Sequence, residues 1–484
     1  MAQGEDLQAV LNSAQPGDEV VLAQGAVFTG NFTLPAKAGN STDWIIVRSE
    51  VLPVANGSRL TPTLAQGVAK IETPNQNPAI VSEKGTRRWR LVGFEIAHKE
   101  GAIYNYGIVV LGWGAELTVA EQPSDIVLDR MYIHGSPTQG TSRCVSFQGR
   151  SMAVINSWLS ECHAVGQDAQ GVWGAAGPGP YLIENNHIEA SGQAIMFGGA
   201  DPLIANVSPS DITIRRNHFF KPLSWAHGKW TVKATLELKH ARRVLVEDNV
   251  LENHWADAQE GYAILMQAVS QQERAPWTTV EDVMVRNNII RNSTGGVDLL
   301  ARYSALIVTP TSKVAIINNL FENVGRDPIS GNTQQIFLLL GGLQDVTLAN
   351  NTVTLPAGAF ANSDVYFDGA ARGVRTTLIN NLFPTSRYGV SASGVGGGSV
   401  ALNAFLGGGR FTGNVVPAMQ ADEYPLNNYF PDLGPQVQLT GSTTTTVCGF
   451  TQSWLLGRQL AANIGVNCDA LQAANAAVQA SPPQ

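Results

Sequence analysis

The hexapeptide Thr235-Leu236-Glu237-Leu238-Lys239-His240 alternates apolar and polar residues, so as a strand it buries Leu236 and Leu238 and turns Glu237 and Lys239 outward, side by side. Equivalent positions in neighbouring repeats supply Asp168 and Gln170, then Asp298, then Tyr366 and Asp368, giving a polar stripe with charges of both signs. Loops beside it carry His163 and His227. A Lys next to carboxylates suggests proton abstraction beside a sugar carboxylate, which needs a base and a cation to hold the enolate. Lys239, Glu237, Asp168 and His163 are the candidate catalytic residues. A free Lys, near pKa 10.4, is a poor base at neutral pH, and a neighbouring Glu237 makes it poorer. The elimination reading therefore expects a calcium ion on Glu237, with Asp298 as the second ligand. Hydrolysis is the alternative. It takes two carboxylates about 6.5–9.5 Å apart in an inverting enzyme, from Asp168, Glu237, Asp257, Glu260 and Asp298. A third reading is a binding or structural surface without catalysis.

The stripe is flanked by long loops rich in tryptophan: Trp173, Trp225, Trp230, Trp255 and Trp277. Flat aromatic faces pack on sugar rings, so the expected ligand is an extracellular polysaccharide lying between His163 and Asp298. Trp225, His227, Trp255, Arg302 and Tyr366 are its expected contacts. Each Trp has a second reading, as a pin that fixes its loop to the body of the protein.

What positions these residues is a repeat. Lys313 to Val324 reads KVAIINNLFENV, an alternating apolar run, an Asn pair and a second short run. The phrase recurs as YLIENNHIEA, DITIRRNHFF, RVLVEDNVLEN, DVMVRNNIIRN, DVTLANNTVTL and TTLINNLFPT. Its second turn residue falls at Asn186, Asn217, Asn249, Asn288, Asn319, Asn351 and Asn381, in steps of 31, 32, 39, 31, 32 and 30. With weaker copies before and after, about eleven units of short strands predict a β-solenoid. Asn tolerates the left-handed backbone of a sharp corner, and stacked Asn side chains can form a hydrogen-bonded ladder.

The repeat resembles the right-handed parallel β-helix of the pectate-lyase-like superfamily, in which each coil carries three strands. The Glu237-Leu238-Lys239 strand is similar to the site strand of the chondroitinase B and alginate lyase family, where a Lys is the base, and that resemblance points to Lys239. The family's Arg is expected one coil later. The strand there is YAILMQ, and the nearest arginines are Arg302, two coils on, and Arg274, in a loop. The Asp-Asp pairs and Arg-Ile-Lys motif of polygalacturonases do not occur. The Arg-x-Pro-x-x-Arg motif of pectate lyases is missing too, and IVLDRMYIHG is the nearest match to their Trp-Ile-Asp-His.

The 484 residues read as one elongated domain: an N-terminal cap over 1–20, the β-helix over 21–420, and a C-terminal cap and tail over 421–484. Helices are expected at Asp6 to Ala14, capping the first coil, and within Phe450 to Ala477, closing the last. With 14% charged residues, a net charge of −8 and no Lys/Arg-rich run, nucleic acid is not an expected partner. No apolar run is long enough to span a membrane. Four cysteines fall in two close pairs, Cys144 with Cys162 and Cys448 with Cys468, which predicts two disulfides and a secreted protein. No secretory signal is visible at Met1-Ala2-Gln3-Gly4, so the chain is read as starting after a removed signal peptide.

Overall fold

The computed structural model describes residues 1–356, 358–430, 445–447, 450–452 and 464–479. The alternating runs become strands of three long parallel sheets, of 13, 11 and 13 strands among the described residues. Between Glu19 and Asp368 the strands follow in threes, one for each sheet, which makes eleven complete turns of a parallel β-helix. One turn shows the logic. Ser312–Ile317 lies in the first sheet, Leu320–Val324 in the second and Gln335–Leu340 in the third. Val314 and Ile316 point inward and are buried, as are Phe321 and Phe337. Stacked turn on turn, such residues form one continuous apolar core.

The corner between the first two sheets divides its work between the two residues of the Asn pair. The first takes the left-handed backbone: Asn185, Arg216, Asp248, Asn287, Asn318, Asn350 and Asn380 have φ between 54° and 58°. The second builds a ladder. Asn186 donates through its backbone N–H (2.9 Å) and Nδ2 (3.0 Å) to Oδ1 of Asn217, and the pattern repeats through Asn249, Asn288, Asn319, Asn351, Asn381 and Asn414. In the earlier turns the ladder position is Ser157, whose Oγ accepts from the Met131 N–H at 2.9 Å.

The helix Leu7–Ser13 is capped by Asp6, whose carboxylate accepts the Ala9 N–H, and it places Leu7 and Leu11 in the core. At the other end the structure departs from expectation. The glycine-rich stretch holds a helix, Gly398–Phe405, which sets Ala401, Leu402 and Phe405 into the core. The flanking glycines hid the spacing of these three residues. The helix expected from Phe450 begins instead as a strand, Phe450–Gln452, paired with Thr445–Val447. The described C-terminal helix, Gln472–Gln479, lies along the second sheet, with Leu471 and Ala474 against Val250, Ile289 and Leu320. No described helix is long and apolar enough to cross a membrane.

Cys144 and Cys162 form a disulfide that joins the third strand of turn four to the second strand of turn five, inside the core. Cys448, in the other expected bridge, lies outside the described residues. The Cys144–Cys162 bond closes a separation of 18 residues, for which loop entropy gives about 3 kcal/mol. Replacing both cysteines with Ala is expected to lower the unfolding free energy by about that amount in urea titrations; a loss below about 1 kcal/mol would assign the bond no such role.

Candidate functional site

Register along the third sheet brings Ser146, Trp173, Met196, Glu237, Leu265, Asp298, Leu338 and Tyr366 into one outward column. Glu237 and Asp298 are two strand steps apart, with Leu265 between them. At about 4.8 Å a step, their backbones are about 9.6 Å apart.

Glu237 is fully buried beneath its neighbours. One carboxylate oxygen accepts from Gln193 Nε2, and the other from Gln267 Nε2 at 3.4 Å. Lys239 Nζ lies 3.3 Å from Glu237 Oε1, so the expected adjacency of Glu237 and Lys239 is real and takes the form of an ion pair. Asp298 is different. Its Oδ1 is buried without a hydrogen-bond partner. Burial first, then the charges of Glu260 and Glu237, push its carboxyl up to about 7. Burial, Asp298 and Glu260 also raise the Tyr262 phenol, which donates to Gln335 Oε1 at 3.2 Å. Gly295 makes room for that ring: a Cβ there would lie 2.4 Å from Tyr262 Cδ1. The site thus holds one carboxylate under three donors and one carboxyl group that keeps its proton close to neutrality.

Upstream on the same face, Tyr106, Val110, Trp113, Arg143, Ser146 and Trp173 line a groove of about 220 Å³. Arg143 stacks on Trp173, with its guanidinium carbon 4.2 Å from the ring centroid. Tyr106 and Trp113 are 58% and 60% exposed. Trp173 lies two strand steps from Glu237, so groove and carboxylates form one track along the solenoid axis.

Other expected residues stand elsewhere. Asp168 precedes the strand Gln170–Gly174 and pairs with Lys233. His163 is buried, stacked on Trp230 at 3.6 Å and bonded through Nε2 to Glu161 at 2.8 Å, which keeps it out of the third-sheet column. Trp225 and Trp255, 7% and 4% exposed, pack with Val232 in a small cluster of their own. They pin their loops, and they offer the third-sheet face no open ring. Trp277 is tied likewise, by Nε1 to the Val207 carbonyl at 2.9 Å. His227 and Arg302 are exposed, and Tyr366 shares the column with Asp298. Gln193, Gln267, Tyr262 and the Arg143–Trp173 stack were not singled out from sequence as parts of the site. The YAILMQ strand carries a signal in its alternation, since Gln267 falls beyond Leu265 on the outward side.

The calcium expected on Glu237 and Asp298 finds an unsuitable donor set. The Glu237 oxygens are already engaged by two amides and an ammonium.

No protein-family model matches the chain, and no curated protein sequence matches it. Solved structures do. The catalytic unit of a thermostable GH87 α-1,3-glucanase from Streptomyces thermodiastaticus strain HF3-3 superposes with a TM-score of 0.50 at 11% identity, over 97% of this chain and 68% of that one. The PL6 alginate lyase AlyGC gives 0.46 at 15%, over 89% and 53%, so this chain spans about half of that protein's length. A mannuronic acid specific family 6 lyase from human gut microbiota gives 0.43 at 14%, over 88% and 89%. At 11% identity the likeness to the glucanase is one of architecture, and the register of the three sheets states it directly: the chain is a parallel β-helix protein.

Proposed function

We propose that the protein is a secreted, carbohydrate-active enzyme that cleaves a polysaccharide by hydrolysis, with Asp298 as general acid and Glu237 as general base. The observation that carries this reading is the pair itself: two carboxyl groups in one outward column, two strand steps apart, of which Asp298 stays protonated near neutrality. The backbone spacing of about 9.6 Å is close to the upper end, about 9.5 Å, of the carboxyl separation that leaves room for a water in an inverting glycosidase. Asp298 would protonate the leaving oxygen, and Glu237, once its donors yield to substrate, would take the proton of the attacking water. The aromatic groove two steps upstream would hold the chain lengthwise. A disulfide-bonded core suits an oxidising, extracytoplasmic location. Elimination by Lys239 is the second reading, supported by its place beside Glu237; the ion pair works against it, because a base must reach the substrate without its proton.

A panel of neutral and uronic-acid polymers, including α-1,3-glucan and alginate, assayed with and without EDTA separates the two. Hydrolysis releases reducing ends with no rise in ultraviolet absorbance. It survives EDTA, and Lys239→Ala should cost less than about tenfold in kcat, an effect of about 1.4 kcal/mol on the barrier. Ultraviolet-absorbing products that vanish in Lys239→Ala would establish elimination instead. Neither product on any polymer would favour the binding or structural reading.

A further inference from the structure

Around the corner from the carboxylate pair, the outer face of the second sheet carries another cavity, of about 420 Å³. Its floor is turns two to six, and loop residues such as Pro62, Pro137 and Pro222 wall it. Two ring stacks lie in the floor: Tyr132 on His134, with centroids 4.4 Å apart, and Trp158 on His187, at 3.7 Å. Trp225 lines one side, so the tryptophan expected at the third-sheet site borders this cavity.

Charge in the lining is one-sided. It has three carboxylates, Glu100, Glu161 and Glu189, and one ammonium, Lys70. Lys70 is held at 2.8 Å by Glu95, and His134 Nε2 is bonded to the same Glu95 at 3.0 Å. The Tyr132 phenol registers the negative field: burial, then Glu95, Glu189 and Glu161, against a hydrogen bond from Ser160, push it up to about 12. On the wall, His98 is 2% exposed; its Nδ1 is bonded to Thr141 Oγ1 at 3.1 Å and its Nε2 has no hydrogen-bond partner. A buried imidazole nitrogen without a partner is costly, and a polar ligand in the cavity would satisfy it.

We propose that this cavity is a second saccharide site, separate from the cleaving face, and that it takes a sugar unit bearing a free ammonium group. The volume falls in the range of about 300–1,000 Å³ usual for small-ligand sites. Tyr132 and His134, both half-buried, give the floor its accessible ring surface, with the buried Trp158 beneath it, and aromatic rings with carboxylates together favour a cation. A cation that matches rings and carboxylates in a cavity of this size is an organic ammonium. The site goes beyond the proposed hydrolysis and does not depend on it.

The test is calorimetric titration of the full chain with the β-1,4-linked glucosamine disaccharide, its N-acetylated form, a neutral glucose disaccharide and spermidine. The glucosamine disaccharide is expected to bind saturably, with a Kd of about 1 mM or tighter, and the other three at least about tenfold more weakly. Glu161→Gln should weaken binding at least about tenfold. Glu100→Gln, at an exposed position that folding does not need, should weaken it in the same direction. Glu237→Gln should leave it unchanged, which separates this site from the third-sheet face. Equal binding of the N-acetylated sugar, equal binding of spermidine, no saturable binding at all, or binding lost in Glu237→Gln would each overturn the proposal.

Discussion

Replacing Asp298 with Asn is expected to slow polysaccharide hydrolysis by about 10²–10⁴-fold, the range usual for loss of a general acid or base. The prediction rests on what holds Asp298 as an acid: a buried Oδ1 with no partner, and the nearby charges of Glu260 and Glu237. Wild-type turnover should therefore fall as pH rises through about 7, where Asp298 loses its proton. The Asn variant should lack that limb in whatever rate remains. Stability should fall with pH through the same range. The folded carboxyl, near 7, sits above its ordinary value of 3.8, so between these values the folded chain holds a proton that the unfolded chain has released. Its contribution to stability is fully present below about pH 4 and is lost as pH rises through 7. Above pH 7 the ionised Asp298 is a burden of roughly 4 kcal/mol at most, which Asn does not carry. Asp298→Asn should accordingly resist urea better than wild type at pH 8 and no better at pH 4. A variant within tenfold of wild-type turnover would remove Asp298 from the chemistry. A variant less stable at pH 8 would contradict the account of its burial. Glu237→Gln should lose activity on a similar scale, and the double variant little more than the worse single one, because groups that act on one transition state do not add.

The fold was legible because it is written many times over. Each repeat states the alternation and the corner, so the error in any one copy is corrected by the others. Glu237 and Lys239 were placed correctly by alternation alone, and Asp298 and Tyr366 by the repeat that aligns their strands with it. Loops have no such redundancy. His163 reads as an available base until its ring is found under Trp230, and Trp225 reads as a sugar platform until Val232 and Trp255 are found against it. These contacts join residues from 7 to 67 positions apart through irregular backbone, where no period carries information. Gln193 was hidden for a related reason: it lies just before its strand, Ile195–Phe197, and reaches Glu237 from the neighbouring turn. The Asp298 environment depends on Glu260, which stands in a loop of the preceding turn. Which carboxyl would be the acid was therefore not readable from residue types.

Asn249→Ala is expected to destabilise the protein by about 4 kcal/mol, although the residue is remote from either cavity. Asn249 Oδ1 accepts two bonds from Asn217, from the backbone N–H and from Nδ2, both at 2.9 Å. Its own Nδ2 donates to the Ile214 carbonyl at 2.9 Å and to Asn288 Oδ1 at 3.0 Å. Alanine leaves the Asn217 backbone N–H and one of its two Nδ2 hydrogens buried without an acceptor, the other staying on the Ile183 carbonyl, at about 1–3 kcal/mol each, and the two acceptors lose a donor as well. The neighbouring corner residue gives the control. Asp248 carries the left-handed backbone, φ 58°, and burial followed by the charge of Glu247 raises its carboxyl. Asp248→Asn keeps a residue suited to that backbone and removes a half-buried charge, so it should be neutral or slightly stabilising. The same corner in other turns already holds Asn287, Asn318, Asn350 and Asn380. In a solenoid each turn is stabilised only by its neighbours, so the damage should be local before it is global. Hydrogen exchange should show the strands around Asn217, Asn249 and Asn288 losing protection first, while the turns around Asn381 stay protected until global unfolding. A loss under about 1 kcal/mol, or equal effects at positions 248 and 249, would mean that the ladder accompanies the stack without holding it.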